Sequence, residues 1–206
     1  MRTPLFDPGE LPTHFYFLTS GIASIVTDME DGSVVEVAIL GREAMPGSLL
    51  LLGGQPLPTR CFMQMAGTGL RIGRKDFTLE FQSNSELRAR LLQQVQYEAL
   101  TLGRLSACNR LHEVEERLAR WLLMVSDRIE ADLLEVTHEF LGQMLGTRRT
   151  TVTTTVGILQ KAGLIVASRG TVHILDRARL EQSACQCYAA MRRFHHHLYS
   201  APVLGL

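Results

Sequence analysis

The sequence predicts an α+β chain: an antiparallel β-roll, then a long helix, then a helical region that closes on a two-helix corner and a hairpin. Three observations carry this. Short β-branched and aromatic runs crowd residues 13–73, with turn signals between them. From Ser85 the apolar spacing changes to helical steps of three and four. Between Val136 and Ile165 two short amphipathic segments meet at Gly146.

In the first region His14–Leu18, Ile22–Thr27 and Val34–Leu40 read as strands. They are separated by Ser20-Gly21 and by Glu30-Asp31-Gly32, where Asp-Gly is a strong hairpin signal. Val35, Val37 and Ile39 alternate with Val34, Glu36 and Ala38, so one face of that strand can be buried. Gly41, Pro46-Gly47 and Gly53-Gly54 read as turns, and strands resume at Arg60–Met65 and Leu70–Ile72. Short strands at this spacing close into a roll, and residues 1–84 are assigned to it.

The stretch from Ser85 to about Ser106 has no proline, and Leu91, Val95, Leu102 and Leu105 fit an a/d seam that Glu98 interrupts. A seam this long predicts a partner helix, most simply from a second copy, with Leu92, Ala99 and Leu100 left for the roll; the alternative is that the seam packs against its own roll. Residues 85–108 are thus expected to be a dimerisation helix and hinge, with the hinge at Ser106–Asn109 and a C-terminal domain over 109–206. A helix from His112 to Ser126 would bury Val114, Leu118, Trp121, Leu122 and Val125.

The corner follows. Phe140, Leu141, Met144 and Leu145 line one side of a short helix, and Gly146 can take the positive φ that ends it. Thr147 is the expected N-cap of the next helix, which buries Val152, Val156 and Leu159 and stops at Gly163. Arg148, Arg149, Thr150, Thr151, Thr153 and Thr154 are left facing outward. Such side chains suit phosphate oxygens and base edges in a major groove. Leu164–Ser168 and Thr171–Leu175 flank Arg169-Gly170 as a hairpin, a wing beside the corner, so the domain reads as a winged helix-turn-helix. Asp176 is expected to cap a final helix from Arg177 to about Phe194.

The formal net charge is zero, but it is unevenly placed. Before Phe140 there are 13 basic and 19 acidic residues; from Phe140 onward there are 8 and 2. A basic C-terminal third that begins inside the corner fits a nucleic-acid binder. A competing class, an interaction or sensor module whose corner serves only for packing, predicts no such bias. No nucleophile, base and oxyanion site can be assembled, and the glycines of 41–54 lack the Gly-Lys-Ser/Thr of a phosphate loop, so no enzyme is expected. The opening MRTPLFDPGE lacks the basic and apolar regions of a signal peptide and no run of eighteen apolar residues occurs, which points to the cytoplasm and away from the membrane. Cys61, Cys108, Cys185 and Cys187 then read as free thiols. Cys185 and Cys187 on one helix would point about 200° apart, so with His195–His197 they predict no metal site and no cofactor.

Asn109–Leu122, Thr137–Ile165 and the Ser168-Arg169-Gly170 wing, behind a roll and a long helix, resemble the Crp/Fnr superfamily of bacterial transcription regulators. The resemblance covers almost the whole chain. It implies a cyclic-nucleotide-binding-like, cupin-like sensor roll and a homodimer that sets two recognition helices in successive major grooves of a palindromic DNA site, with RNA polymerase as a further partner. By the same match Thr137, His138, Thr147, Arg148, Lys161, Ser168 and Arg169 join Arg149, Thr150, Thr151, Thr153 and Thr154 at the DNA, with His138, Arg148 and Arg169 near phosphates.

The departures from the family pattern shape the expected function. Members that bind cyclic AMP carry a Gly-Glu pair and an Arg in the roll; here Pro46-Gly47-Ser48 has no Glu, and Arg60 is the one candidate cation for an effector. No cysteine precedes Cys61, unlike the iron–sulfur members, and His14 is the sole roll histidine for a haem. A signal other than cyclic AMP is therefore expected. In the recognition helix Arg149 matches the family's first arginine, while Thr150 and Thr154 replace its Glu and later Arg. The opening LFDPGE resembles the turn that follows a preceding helix and strand, so part of the roll's first layer is expected to be absent.

Overall fold

The structure, a computed structural model, describes residues 3–200. They fall into two compact units: 3–27, 37–103 and 192–200 in one, 28–36 and 104–191 in the other.

The first unit is built on the roll. Strands β1 (Pro4–Phe6), β5 (Arg60–Met65), β3 (Ile22–Asp28) and β4 (Val34–Leu40) form a sheet in that spatial order. β2 (His14–Leu18) and β6 (Gly69–Gly73) form an antiparallel pair, His14 opposite Gly73 and Leu18 opposite Gly69. All five expected strands are present. β1 is an addition: Leu5 and Phe6, expected in a turn, lie instead in a strand at the sheet edge beside β5. A single-turn helix, α1 (Leu50–Gly53), interrupts the glycine-rich stretch, and α2 (Arg74–Ser83) follows β6.

Two apolar clusters fill this unit. Phe6, Leu18, Ala23, Ile25, Leu40, Ala44 and Cys61 make one. Phe15, Met45, Leu50, Phe77 and Leu91 make the other, with the Phe15 and Phe77 rings 4.2 Å apart. Burial at Cys61 pushes its thiol far above the ordinary range, so it stays protonated.

Leu91 corrects the expected seam on α3 (Ser85–Leu111). Leu91 belongs to the roll's core and Val95 is equally buried, whereas Leu92 is half-buried and Ala99 and Leu100 are exposed. Leu102 and Leu105 are half-buried. Helical spacing identifies two apolar stripes but carries no information about which one the roll covers.

The polar interruption Glu98 is buried. Ser48 Oγ donates to its Oε2 at 2.6 Å and Gln94 Nε2 to its Oε1 at 2.7 Å. Gln94 also brackets Met45, accepting from its N–H and donating to its carbonyl. Burial raises the Glu98 pKa; the two hydrogen bonds oppose that shift, and Glu43 adds to it. The folded state therefore favours the protonated acid more than the unfolded chain does. The stability this gives is complete below the unfolded pKa and is lost as pH rises through the raised folded value. Glu98→Gln is expected to raise Tm at neutral pH by roughly 2–4 °C, the shift that about 1 kcal/mol produces in a chain of this size. The gain should shrink towards acid pH; calorimetry across that range checks it.

The second unit starts within α3, at Arg104. The expected hinge at Ser106–Asn109 is helical, because nothing there interrupts the i→i−4 ladder; α3 runs on to Leu111. The chain breaks instead at His112–Glu113, where Glu113 and Glu116 form a capping box that starts α4 (Val114–Ile129). β7 (Leu133–Leu134), β9 (Thr171–Ile174) and β8 (Ile165–Ser168) form a small antiparallel sheet, in that order. α5 (His138–Leu145) and α6 (Arg149–Lys161) precede the β8–β9 wing. The expected last helix is two: α7 (Arg177–Ser183) and α8 (Cys187–Ser200), separated by Ala184–Gln186. Asp176 caps α7 as expected, accepting from Arg179 N–H at 3.0 Å.

The α4 face is the unit's keel. Leu118, Trp121, Leu122, Leu123 and Val125 are essentially inaccessible, as are Leu141, Leu145, Val152, Leu159 and Ile165. Burying side chains of this size contributes about 1.5–3 kcal/mol each. No helix among the described residues is long and apolar enough to cross a membrane.

Candidate nucleic-acid interface

Corner geometry begins with Thr137. Its Oγ1 accepts from Phe140 N–H at 3.1 Å and so caps α5. Gly146 ends α5 with φ at +60°, the left-handed conformation that a glycine adopts most cheaply. Gly142, four residues earlier, is needed for a different reason: a Cβ there would meet the Thr147 carbonyl oxygen at 2.9 Å. The two glycines let α5 and α6 approach closely.

Thr147 is not the cap of α6. Its N–H closes the turn on Gly142 O, and Arg148 takes the N-cap position with no side-chain bond. A tight turn consumes Thr147, leaving the first N–H groups of α6 without a side-chain acceptor. That end is open and electropositive, as a phosphate contact requires.

Of the outward set, Arg148, Arg149, Thr150, Thr153 and Thr154 are exposed and Thr151 is half-buried. Thr155, the next threonine, is buried. The hydroxyls of Thr153, Thr154 and Thr155 fold back on the helix, donating to the carbonyls of Arg149, Thr150 and Thr151 at 3.0, 3.2 and 2.9 Å. The hydroxyls of the exposed Thr153 and Thr154 are thereby spent on the helix's own backbone. Arg149 has one acidic neighbour, Glu139 on α5, at 3.9 Å, with both side chains about 70% exposed.

The wing carries the remaining expected residues. Arg169 and Gly170 both have positive φ, +37° and +85°, which gives a tight two-residue turn. Ser168, Arg169 and the α6 residue Lys161 are exposed. His138, Thr153, Ser168 and Arg169 line one shallow cleft between α6 and the wing. His138 Nδ1 lies 3.0 Å from Thr153 Oγ1. Gln160, absent from the sequence reading, fixes the wing: its Oε1 accepts from Ala167 N–H at 2.6 Å. An exposed glutamine near a helix end gives no sequence signal for such a brace.

The effector candidate Arg60 is half-buried on β5, with Val26 opposite it. Ser48, which follows Gly47 where a cyclic-AMP binder has Glu, is buried and turned to Glu98.

This architecture has relatives. The Crp-like helix-turn-helix domain matches residues 116–183, and the cyclic nucleotide-binding domain matches residues 2–84. The chain belongs to the Crp/Fnr superfamily. Its members are DNA-binding transcription regulators, and this Crp/Fnr protein has their helix-turn-helix and roll. It is similar to the global nitrogen regulator of Synechococcus elongatus, 25% identical over 191 residues, covering 86% of this chain and 84% of that one. It is equally similar to the cyclic AMP receptor protein of Thermus thermophilus, 25% identical over 185 residues, covering 88% and 84%. Among solved structures, a Crp-family transcriptional regulator from Thermus thermophilus superposes with a TM-score of 0.74 at 20% identity, covering 89% and 93%. FixK2 from Bradyrhizobium japonicum gives 0.76 at 15%, with the same coverage.

Proposed function

We propose that this Crp/Fnr regulator is a cytoplasmic homodimer that lays α6 of each copy in a major groove of a palindromic duplex, with the wing on the backbone beside it. The outer face of α6 and the wing carries this reading: Arg148, Arg149, Lys161 and Arg169 are exposed there together with methyl-bearing threonines. Arg149, the first residue of α6, is the base reader, suited to a bidentate guanine contact. Arg148, His138, Ser168, Arg169 and Lys161 serve phosphates and fix register. The methyls of Thr150, Thr153 and Thr154 suit thymine C5 methyls. RNA polymerase is the further partner that such a regulator addresses.

The second copy docks on the α3 stripe that the roll leaves uncovered. Leu92, Ala99 and Leu100 present it, and Gly103 has open space where a side chain would stand. The signal arrives at the roll and is not cyclic AMP. Ser48 offers a hydroxyl already engaged by Glu98 in place of a ribose-binding carboxylate, and the ground beside Gly47 is apolar: Leu50, Phe6 and Phe15.

Binding of the purified chain to a random duplex at 50 and 200 mM salt, followed by selection from a random pool, tests the reading. Affinity for random DNA should fall steeply with salt, by about ten-fold or more for several phosphate contacts per dimer. The selected sites should be palindromic, with half-sites about one helical turn apart. Salt-insensitive binding, or none, overturns it.

A further inference from the structure

On sequence alone Cys185 and Cys187 fall on one helix and point apart. The break at Ala184–Gln186 removes that obstacle: Cys185 sits in the break and Cys187 opens α8. Both reach the end of α3, where Cys108 and His112 stand one turn apart; His112 N–H still donates to Cys108 O at 3.1 Å. Cys108 Sγ lies 3.5 Å from Cys185 Sγ, and Cys187 Sγ lies 3.7 Å from His112 Nδ1. The four donor atoms are all within 4.8 Å of one another. The three cysteines are buried and His112 is half-buried.

We propose that Cys108, His112, Cys185 and Cys187 bind one thiophilic divalent ion of the zinc type in a closed tetrahedral site. Around such an ion, edges of about 3.8 Å between sulfurs and about 3.6 Å from sulfur to nitrogen follow from the usual bond lengths. The two close pairs, at 3.5 and 3.7 Å, come within about 0.3 Å of those edges. The space takes a single ion; an iron–sulfur cluster would divide its ligands between irons and set them farther apart than donor atoms all within 4.8 Å of one another. Three soft sulfurs and one imidazole select zinc over the oxygen-seeking magnesium and calcium.

Charge supports the same assignment. A divalent ion with three thiolates and a neutral imidazole has net charge −1, which a buried site must balance. Arg104 Nε donates to Cys187 Sγ at 3.2 Å, the outer-shell contact that orients a ligating thiolate. Two more guanidinium groups, Arg117 and Arg120, are buried close by with no carboxylate partner among the described residues. Arg117 Nη2 donates to Leu145 O and Arg120 Nη1 to the Met124 sulfur, while the Nε of each has no acceptor. A metal–thiolate centre supplies the anion these arginines lack. It also clamps the last turn of α3 to the α7–α8 break, within the unit that holds the recognition helix.

Cobalt(II) is the probe. The reduced, metal-stripped full chain should take up one cobalt per protomer, with thiolate-to-metal charge-transfer bands in the near ultraviolet and strong visible bands of a tetrahedral ion. Equimolar zinc should displace it and raise Tm, since an ion that binds only the folded state stabilises it. Cys187→Ser and His112→Ala should each weaken uptake at least ten-fold, and Cys61→Ser, in the roll, should leave it unchanged. His112→Ala removes a half-buried side chain at a helix end, so it remains informative if a cysteine variant misfolds. A weak six-coordinate spectrum without charge transfer in the unmutated chain overturns the site. So does uptake that Cys61→Ser abolishes, or that neither ligand variant weakens.

Discussion

Arg149→Ala is expected to weaken binding to the selected DNA site by roughly 10–100-fold, the loss of a bidentate guanine contact of about 1–3 kcal/mol. Arg149 heads α6, its side chain is 71% exposed, and its sole acidic neighbour among the described residues is the equally exposed Glu139 at 3.9 Å. An ion pair so exposed is worth little and costs little to leave. Its place in helical order matters: Thr150, not a glutamate, follows it, so the acidic group near it stands on the neighbouring helix α5 rather than on its own. Fluorescence anisotropy on the selected duplex and on a random one separates the roles. Loss confined largely to the selected duplex identifies a base reader. Equal loss on both, with a salt slope smaller by about one, would make Arg149 a phosphate contact. That second pattern is the one expected of Arg169→Ala.

Gly142→Val should cost about 1–3 kcal/mol of unfolding free energy, the range for overpacking. A β-carbon at Gly142 meets the Thr147 carbonyl oxygen at 2.9 Å, and a backbone oxygen cannot swing aside as a side chain would. Relief requires opening the turn between α5 and α6, so DNA affinity should fall along with Tm. Gly157, on α6, is the control: a Cβ there meets nothing within 4 Å. Gly157→Ala should therefore raise stability by up to about 1 kcal/mol through helix propensity alone. Denaturant melts of the two variants check both signs. If Gly142→Val melts like the unmutated chain, the close approach does not hold the corner.

The roll's strands were legible because each is a run of β-branched and aromatic residues bounded by glycine turns. β2, β4 and β5 fall on the expected residues. β1 and β7, three and two residues long, exist through pairing with β5 and β9 and leave no periodic trace. Gly146 and Gly163 announced the ends of the two corner helices, and both have positive φ. The break at Ala184–Gln186 had no such marker, since neither glycine nor proline occurs there. Missing it hid the approach of Cys185 and Cys187 to Cys108 and His112, more than 70 residues away in the chain. On α3 the helical period held, while Leu91 went to the roll's core and Val95 is buried with it; Leu91 and Leu92 are adjacent, and only tertiary packing decides which one the roll covers. On α6 the exposed residues Arg148, Arg149, Thr150, Thr153 and Thr154 are those that the apolar stripe leaves over, so their outward position was legible. The turn's use of Thr147 and the Gln160 brace depend on hydrogen bonds that spacing does not encode.

The folded-back hydroxyls on α6 bear on hydration. A threonine that spends its proton on its own helix holds less water outside, so less must be stripped when the helix enters a groove. In the proposed complex two apolar surfaces would then meet, methyl against methyl. Such an encounter draws on released solvent more than on enthalpy, and its mark is a negative heat-capacity change on association. By that route a helix lacking the acidic partner of its arginine can still distinguish one groove from another: through how dry each groove can become.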